Sequence, residues 1–143
     1  MIGPERLNYP ENHIEVDNRL SWFLGKLERK YGDDAAYVHL QRNTEDTARS
    51  FVLRYGLGIM AAYQNGILSG SKSTPESLAR DYYETVTGNI SHFLKDKSRV
   101  MDFHLEQAKD QFPVFWQWIH ADGDLKAALA EWDKKHNQTM EKT

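Results

Sequence analysis

The clearest transition from strand to helix lies in the stretch YVHLQRNTEDTARSF, residues 37–51. Its first residues are typical of a β-strand, and a helical pattern follows at once, with Asn43 or Thr44 as the natural N-cap. Arg42 is therefore predicted at the carboxyl end of a strand, where open α/β sheets bind their ligands. Ser50 follows about two helical turns later, on a face that can turn back toward Arg42. An arginine and a hydroxyl from two elements form a candidate site for one phosphate group.

This pattern resembles the 3′-phosphate-binding element of the sulfotransferases that use 3′-phosphoadenosine 5′-phosphosulfate (PAPS). In that family an apolar strand ends in an arginine, a helix follows, and a serine eight positions after the arginine helps to hold the 3′-phosphate. Arg42 and Ser50 stand at these two positions with the same spacing. Where the family often has Arg-Asp-Pro, this chain has Arg-Asn-Thr, and Asn43 keeps the capping chemistry. The alternative is a solvated arginine with an incidental serine.

The resemblance extends to segments 98–106 and 112–129, which are similar to the late strand and closing helices of bacterial members. It covers about residues 15–137. It implies that Arg42 and Ser50 bind PAPS as co-substrate, and that the family reaction moves a sulfuryl group from PAPS to a hydroxyl or amine acceptor. It does not indicate the acceptor or a catalytic residue in this chain.

The family's second anchor, a loop that wraps the 5′-phosphosulfate, has no counterpart before Arg42. Such a loop combines a basic residue, glycine and clustered Ser/Thr after an apolar strand, and its backbone N–H groups bind the anion. Residues 1–10 contain a single glycine, Gly3, and no Ser/Thr cluster. We therefore expect a truncated P-loop sulfotransferase-like fold, lacking the N-terminal phosphosulfate-loop segment, and no catalysis by this chain alone.

A second glycine-rich stretch, GILSGSKST at residues 66–74, has the composition of a nucleotide-binding P-loop in the wrong order. The Walker pattern requires glycine directly before the lysine, four residues between its glycines, and a strand upstream. None of these conditions is met. The stretch is predicted to be a linker that ends in a Thr74 N-cap, with Pro75 at the first helical position.

The composition sets limits on the class of protein. The chain has 143 residues, enough for one domain with a core, and 40% of them are hydrophobic. A net charge of −3, without a run of basic residues, argues against nucleic acid as a partner. The absence of cysteine excludes disulfides and thiol nucleophiles. No stretch is long and apolar enough to cross a membrane, so we expect no membrane association and a cytoplasmic location.

The hydrophobic pattern predicts an α/β fold, a single domain over residues 1–143 that is dominated by helices and holds a small parallel sheet. Helices are predicted over residues 20–31, 44–55, 59–65, 75–94, 107–120 and 124–136, and strands over residues 36–41 and 99–105. Residues 1–13 are expected to form an extended arm and residues 137–143 a frayed tail. The two strands either pair directly as a βαβ unit or have other strands of the family between them.

Other candidates for chemistry are weaker. The six histidines show no metal-ligand spacing, and we expect no metal site. His39, inside the first strand, is expected to be packed and hydrogen-bonded rather than a base. His104 and Glu106 are predicted on one face of the second strand and offer a general base, or simply a solvated strand end.

Charged and aromatic residues near these elements have two interpretations each. Arg49 and Arg54 add positive charge to the helix after Arg42, whereas Glu45 and Asp46 in its first turn oppose an incoming phosphate. The aromatic residues of segment 112–132 have helical spacing and are predicted to pack helix on helix rather than to stack on bases.

A different class of function is compatible with the same pattern. If the first strand of the sheet is missing, an apolar sheet edge remains, and such edges are usually covered by a helix, an arm or another chain. The alternative function is therefore a non-catalytic helical protein-interaction domain that self-associates into a homo-oligomer.

Overall fold

The computed structural model describes residues 3–70 and 72–134. The helices are α1 (Leu24–Tyr31), α2 (Thr44–Leu53), α3 (Gly58–Ala62), α4 (Pro75–Leu94), α5 (Ala108–Trp118) and α6 (Leu125–Ala130), and the strands are β1 (Tyr37–Gln41) and β2 (Val100–His104). Short 3₁₀ turns cover Pro4–Leu7, Asn18–Trp22, Leu105–Gln107 and Glu131–Asp133, and a π-helical turn, Tyr63–Ile67, continues α3. The predicted helix-dominated α/β fold with a small parallel sheet is thereby confirmed.

The sheet consists of β1 and β2, which pair in parallel with a register from Tyr37 beside Val100 to Gln41 beside His104. The strands are direct neighbours, so the arrangement with other strands between them is wrong. The Tyr37 N–H donates to the carbonyl of Arg99 at 2.9 Å. The backbone N–H and C=O groups of successive residues point to opposite edges of a strand. Those of the odd-numbered residues of β1 therefore point toward β2, and those of the even-numbered residues point toward the opposite, free edge.

The longest helix, α4, confirms the predicted range and its capping. The Thr74 side chain accepts a hydrogen bond from the Ser77 N–H at 3.2 Å, and Pro75 occupies the first helical position. These two features fix the start of α4 because they satisfy a free N–H and preset the backbone angle. The predicted end of the linker at Thr74 is therefore confirmed, whereas Gly66 and Ile67, which the prediction assigned to the linker, lie in the π-helical turn.

The main hydrophobic core lies between helices and not at the sheet. Its buried residues come from α2, from α3 with its π-helical turn, and from α4: Ala48, Met60, Tyr63, Leu78, Ala79 and Tyr82. Phe51 and Tyr63 each contact the ring of Tyr82 edge to face, with ring centres 5.3 Å and 5.2 Å apart. Aromatic edge-to-face pairs add to the stabilisation that burial provides. Residues 44–82 thus bury a core of their own.

A second aromatic cluster covers β2. The ring of Trp132 lies 5.8 Å from that of Phe103 and 5.6 Å from that of Phe112. The predicted packing of helix on helix is met only in part, because Trp132 lies in a 3₁₀ turn and packs on Phe103 of β2 as well as on Phe112 of α5. The closing helix is shorter than residues 124–136: α6 ends at Ala130, and the 3₁₀ turn Glu131–Asp133 carries Trp132 onto Phe103.

The N-terminal part differs from the prediction. The supposed arm begins with the 3₁₀ turn Pro4–Leu7, because Leu7 is buried and its carbonyl accepts hydrogen bonds from Lys30 and Tyr31. The helix predicted from Leu20 is interrupted at Phe23, where φ is −120°. Residues 8–17 contain neither helix nor strand. The predicted tail, residues 137–143, lies outside the described residues.

Candidate functional site

Arg42 is exposed and directly follows β1 at the carboxyl end of the sheet, as predicted. Its main-chain carbonyl accepts a hydrogen bond from the Tyr83 hydroxyl at 2.8 Å, which ties α4 to this junction. Within residues 3–70 and 72–134, no side chain forms a hydrogen bond or a close ion pair with the guanidinium of Arg42. The charged group is therefore available to a ligand that approaches the sheet edge.

Ser50 lies on α2 and is half-buried. Its hydroxyl accepts a hydrogen bond from the Arg54 side chain, whose Nε also donates to the Ser50 carbonyl at 3.3 Å. At 1.5 Å per residue, Ser50 is about 9 Å along the helix axis from Thr44. Among the described residues no hydrogen bond joins Arg42 and Ser50: Arg42 precedes the Asn43 cap of α2, and Ser50 lies about two turns along that helix.

The N-terminus of α2 already holds an anionic group. The Asn43 N–H donates to Oε1 of Glu106 at 2.7 Å, and this hydrogen bond is the chief reason why the pKa of Glu106 lies below its usual value. The Asn43 side chain in turn accepts hydrogen bonds from the N–H groups of Glu45 and Asp46. A carboxylate thus lies at the start of α2, a place where helices bind anions.

This position of Glu106 corrects the expectation that it shares a strand face with His104. The strand ends at His104, and the 3₁₀ turn Leu105–Gln107 redirects Glu106 toward α2. The sequence did contain a signal for this contact. Parallel strands end at one edge of a sheet, so an acid after β2 comes close to the helix that follows β1, and a helix N-terminus attracts negative charge.

The acids in the first turn of α2 oppose a phosphate less than the sequence suggests. Both carboxylate oxygens of Glu45 accept hydrogen bonds from the guanidinium of Arg80 on α4, and this pairing holds the pKa of Glu45 below its usual value. Asp46 lies 4.0 Å from Arg49. The charge of Glu45 is therefore compensated by a bidentate ion pair with Arg80, without any ligand.

His39 is the buried titratable residue of the sheet, only 7% exposed. Its Nδ1 lies 3.5 Å from Oδ1 of Asp102 on β2, and the Gln41 side chain donates to the same oxygen at 2.8 Å. Burial lowers the pKa of His39, although the charge of Asp102 acts in the opposite direction. The prediction of a packed histidine is confirmed, and burial favours the neutral form of its imidazole.

The rest of the described surface adds little to the site. Within residues 3–70 and 72–134, no group of three metal-ligating side chains comes together, and no helix has the length and apolar character needed to cross a membrane. An open depression of about 390 Å³ adjoins the end of β2 and is lined by Glu106, Lys109 and Trp132, among others. Comparisons with family models, curated proteins and solved structures find no match to this chain.

Proposed function

We propose that this chain is a sulfotransferase-like protein that binds the 3′-phosphate of PAPS, or of its product 3′-phosphoadenosine 5′-phosphate, with Arg42 and Ser50. The observation that carries the proposal is the exposed Arg42 at the carboxyl end of β1, whose guanidinium has no hydrogen-bond partner among the described side chains. An arginine fork matches the geometry of phosphate oxygens, and a ligand at this edge follows the general rule for open α/β sheets.

The surroundings of Ser50 support a phosphate at the same junction. The Ser50 hydroxyl is paired with Arg54, so the helix face that carries the serine also carries a second guanidinium. Of the two acids in the first turn, Glu45 is paired with Arg80, and Asp46 lies 4.0 Å from Arg49. A dianionic phosphate would therefore meet two arginines and a hydroxyl, with Glu106, already bound by the Asn43 N–H, as a further negative group near Arg42.

Nothing in the described residues supports fast sulfuryl transfer. Transfer from a phosphosulfate requires donors fixed around the charge that develops on the bridging oxygen. The second junction at the sheet edge, Leu105–Gln107, has the sequence LEQ and offers no glycine or Ser/Thr cluster. Arg42 and Ser50 only position the nucleotide, and binding that is equal in ground and transition states does not lower the chemical barrier.

The proposal is tested by titrating 3′-phosphoadenosine 5′-phosphate into the purified chain in a calorimeter. We expect saturable binding, and a loss of about tenfold to more than a hundredfold in affinity for Arg42→Ala, because a hydrogen bond to a charged group is worth roughly 1.5–3 kcal/mol. Arg49→Ala is the matched control, since it removes the same charge from α2 at an exposed position. Identical titrations for the native chain and Arg42→Ala would disprove the proposal.

Turnover is the second measurement. The isolated chain is expected to show no PAPS-dependent sulfation of generic hydroxyl or amine acceptors, even under conditions in which the product nucleotide binds. Robust sulfation that Arg42→Ala abolishes would place a complete phosphosulfate site in this chain and contradict the proposed division between binding and catalysis.

A second candidate function, a non-catalytic interaction domain that self-associates, is favoured by a different observation. Val38 and Leu40 of β1 are 40% and 51% exposed. They lie beside the strand edge that β2 does not cover. Apolar edges of this kind favour pairing with another chain.

A further inference from the structure

The free edge of β1 has the two features needed for the addition of a strand, namely unpaired backbone groups and exposed apolar side chains. The N–H and C=O groups of Val38 and Leu40 point away from β2, because the register assigns the odd-numbered residues to that pairing. No backbone hydrogen bond within the described ranges reaches these groups. The side chains of the same two residues are apolar and exposed, so an added strand would satisfy backbone groups and bury apolar surface together.

One segment of the chain has the complementary properties. Residues 13–17, HIEVD, alternate polar and apolar residues as a half-buried strand does. Ile14 and Val16 are 58% and 81% exposed, which makes Val16 an unusually accessible valine. The segment belongs to no helix or strand, and Asp17 has the extended angles φ −141° and ψ 114°. It is an exposed segment outside the sheet that alternates polar and apolar residues and ends in an extended residue.

We propose that residues 13–17 of one copy of this chain add as a strand to the free edge of β1 in a second copy. The exchange is reciprocal, so two arms and two edges form a closed twofold dimer. The inference rests on the second candidate function, self-association, and names the surfaces that perform it. Its test needs no nucleotide, so its outcome is separate from that of the nucleotide titration.

The N-terminal contacts favour exchange between copies over closure within one copy. Before the segment, the Tyr9 N–H donates to the Tyr31 hydroxyl at 3.3 Å, and the ring of Tyr9 stacks on that of His13. After the segment, Asp17 caps the 3₁₀ turn Asn18–Trp22 that leads to α1. Both ends are thus held beside α1, and within one copy the segment and the edge of β1 remain exposed.

Charge supports the same pairing and indicates its direction. The segment carries Glu15, which pairs with His13, and Asp17, which pairs with Arg19. The end of β1 is followed by the exposed Arg42, whose guanidinium has no hydrogen-bond partner among the described side chains. If Val16 lies beside Leu40 and the strands run in parallel, Asp17 reaches the end of β1 next to Arg42. Opposite charges across a strand pair are favourable, and this alignment also places the apolar side chains of both strands on one face.

The absence of natural cysteine gives a direct test, because introduced thiols are the only ones present. Val16→Cys and Leu40→Cys are made in separate chains, one of them enlarged by a tag, then mixed and treated with a short bismaleimide. The proposal predicts a crosslinked species that contains one tagged and one untagged chain. Val16→Cys with Val114→Cys is the matched control, since Val114 is 58% exposed, close to the 51% of Leu40, but lies on α5.

The alternatives give different products. Crosslinks only between two Leu40→Cys chains would mean that β1 pairs with β1 and would overturn the proposal. A link only within a chain that carries both substitutions would mean closure by the chain's own arm and would also overturn it. A dimer by light scattering without any link from Val16 to Leu40 would keep self-association but remove residues 13–17 from it.

A charge at the edge supplies an independent measurement. Leu40→Lys is expected to raise the dimer dissociation constant by about tenfold or more, because lysine on an edge strand opposes strand addition. Val114→Lys is expected to leave it unchanged. Circular dichroism of both variants shows whether each retains the native fold. A monomer at all concentrations for the native chain, or equal weakening by both substitutions, would contradict the inference.

Discussion

Apolar side chains are buried to different extents in two regions of the molecule, the helical region of α2, α3 and α4 and the sheet of β1 and β2. In the helical region Met60 and Leu78 are each 1% exposed and Ala79 is fully buried. In the sheet, Phe103 on β2 is buried, whereas its register neighbour Leu40 on β1 is 51% exposed. The helices bury their core within one chain. On the sheet, Val38 and Leu40 of β1 and the free edge of that strand remain exposed to solvent.

The contrast indicates that the helical region mainly provides stability, whereas the exposed sheet and its junction with α2 are available for binding. The free energy of folding comes mainly from apolar area removed from water, which is concentrated between the helices. The open junction of β1 with α2 carries the exposed Arg42 and little buried apolar surface. Substitutions in the two regions are therefore expected to change different measured quantities.

The largest expected effect is on stability in the helical core. Leu78→Ala should lower the free energy of unfolding by about 2–5 kcal/mol, because it removes buried atoms and leaves a cavity. Leu40→Ala, which makes the same chemical change on the sheet, should cost about 1 kcal/mol or less because the side chain is already half in water. Urea denaturation at low protein concentration measures both. Equal costs would show that the sheet is as important to stability as the helices.

An intermediate effect concerns two helix caps of the same kind. Asn43→Ala and Thr74→Ala each remove a side-chain acceptor at a helix start and should each cost roughly 0.5–2 kcal/mol. They differ in what else they change. Asn43→Ala is expected to weaken nucleotide binding as well, because it loosens the start of the helix that carries Ser50.

Denaturation and calorimetric titration of both cap variants distinguish these outcomes. Thr74→Ala acts as the control for a general loss of stability. If both variants bind nucleotide equally well, the start of α2 is not part of the recognition surface.

The smallest effect is a pH dependence within the sheet. Burial lowers the pKa of His39 in the folded state below the usual value of 6.5, with Asp102 and His104 as its charged neighbours. Between the folded and unfolded pKa values the unfolded chain binds more protons, so stability falls as the pH drops below about 6.5. The slope from one such group is a fraction of about 1.4 kcal/mol per pH unit.

Thermal unfolding between pH 7.5 and 5.5 measures this slope. His39→Gln should reduce the slope of stability against pH, even if the substitution also changes the stability at every pH. His92→Gln, at an exposed position of α4, is the control for the loss of one imidazole. Carboxylates with lowered pKa, such as Glu45 and Glu106, lose their stabilising effect in the acid range below this window. An unchanged slope for His39→Gln would show that burial does not lower the pKa of His39 in the folded chain.

Local chemistry made much of this fold predictable from the sequence. The boundaries of α4 were predicted correctly because the Thr74 cap and Pro75 act within a few residues of each other. The two strands were predicted from short alternating segments, and their parallel pairing follows from the helices that connect them. Arg42 was placed correctly because its position depends only on where β1 ends.

Tertiary contacts account for what the sequence did not reveal. The shortened α6 reflects the packing of Trp132 on Phe103, which lies about thirty residues earlier and is not visible in helical periodicity. The docking of Leu7 on Lys30 and Tyr31 likewise replaces an extended arm with a 3₁₀ turn. At the candidate site, the contacts of Glu106 with Asn43 and of Arg80 with Glu45 required the positions of separate elements.

The distance along the chain between β1 and β2 has a consequence for the order of folding. Residues 42–99 separate the two strands, so their pairing closes a long loop, whereas α2, α3 and α4 contact one another over shorter separations. Because the entropy of loop closure must be lost before a distant contact is gained, we expect the helices to assemble first and the sheet to close late. Folding kinetics of Phe103→Leu and Leu78→Ala measure this order: the first should mainly speed unfolding, and the second should also slow folding.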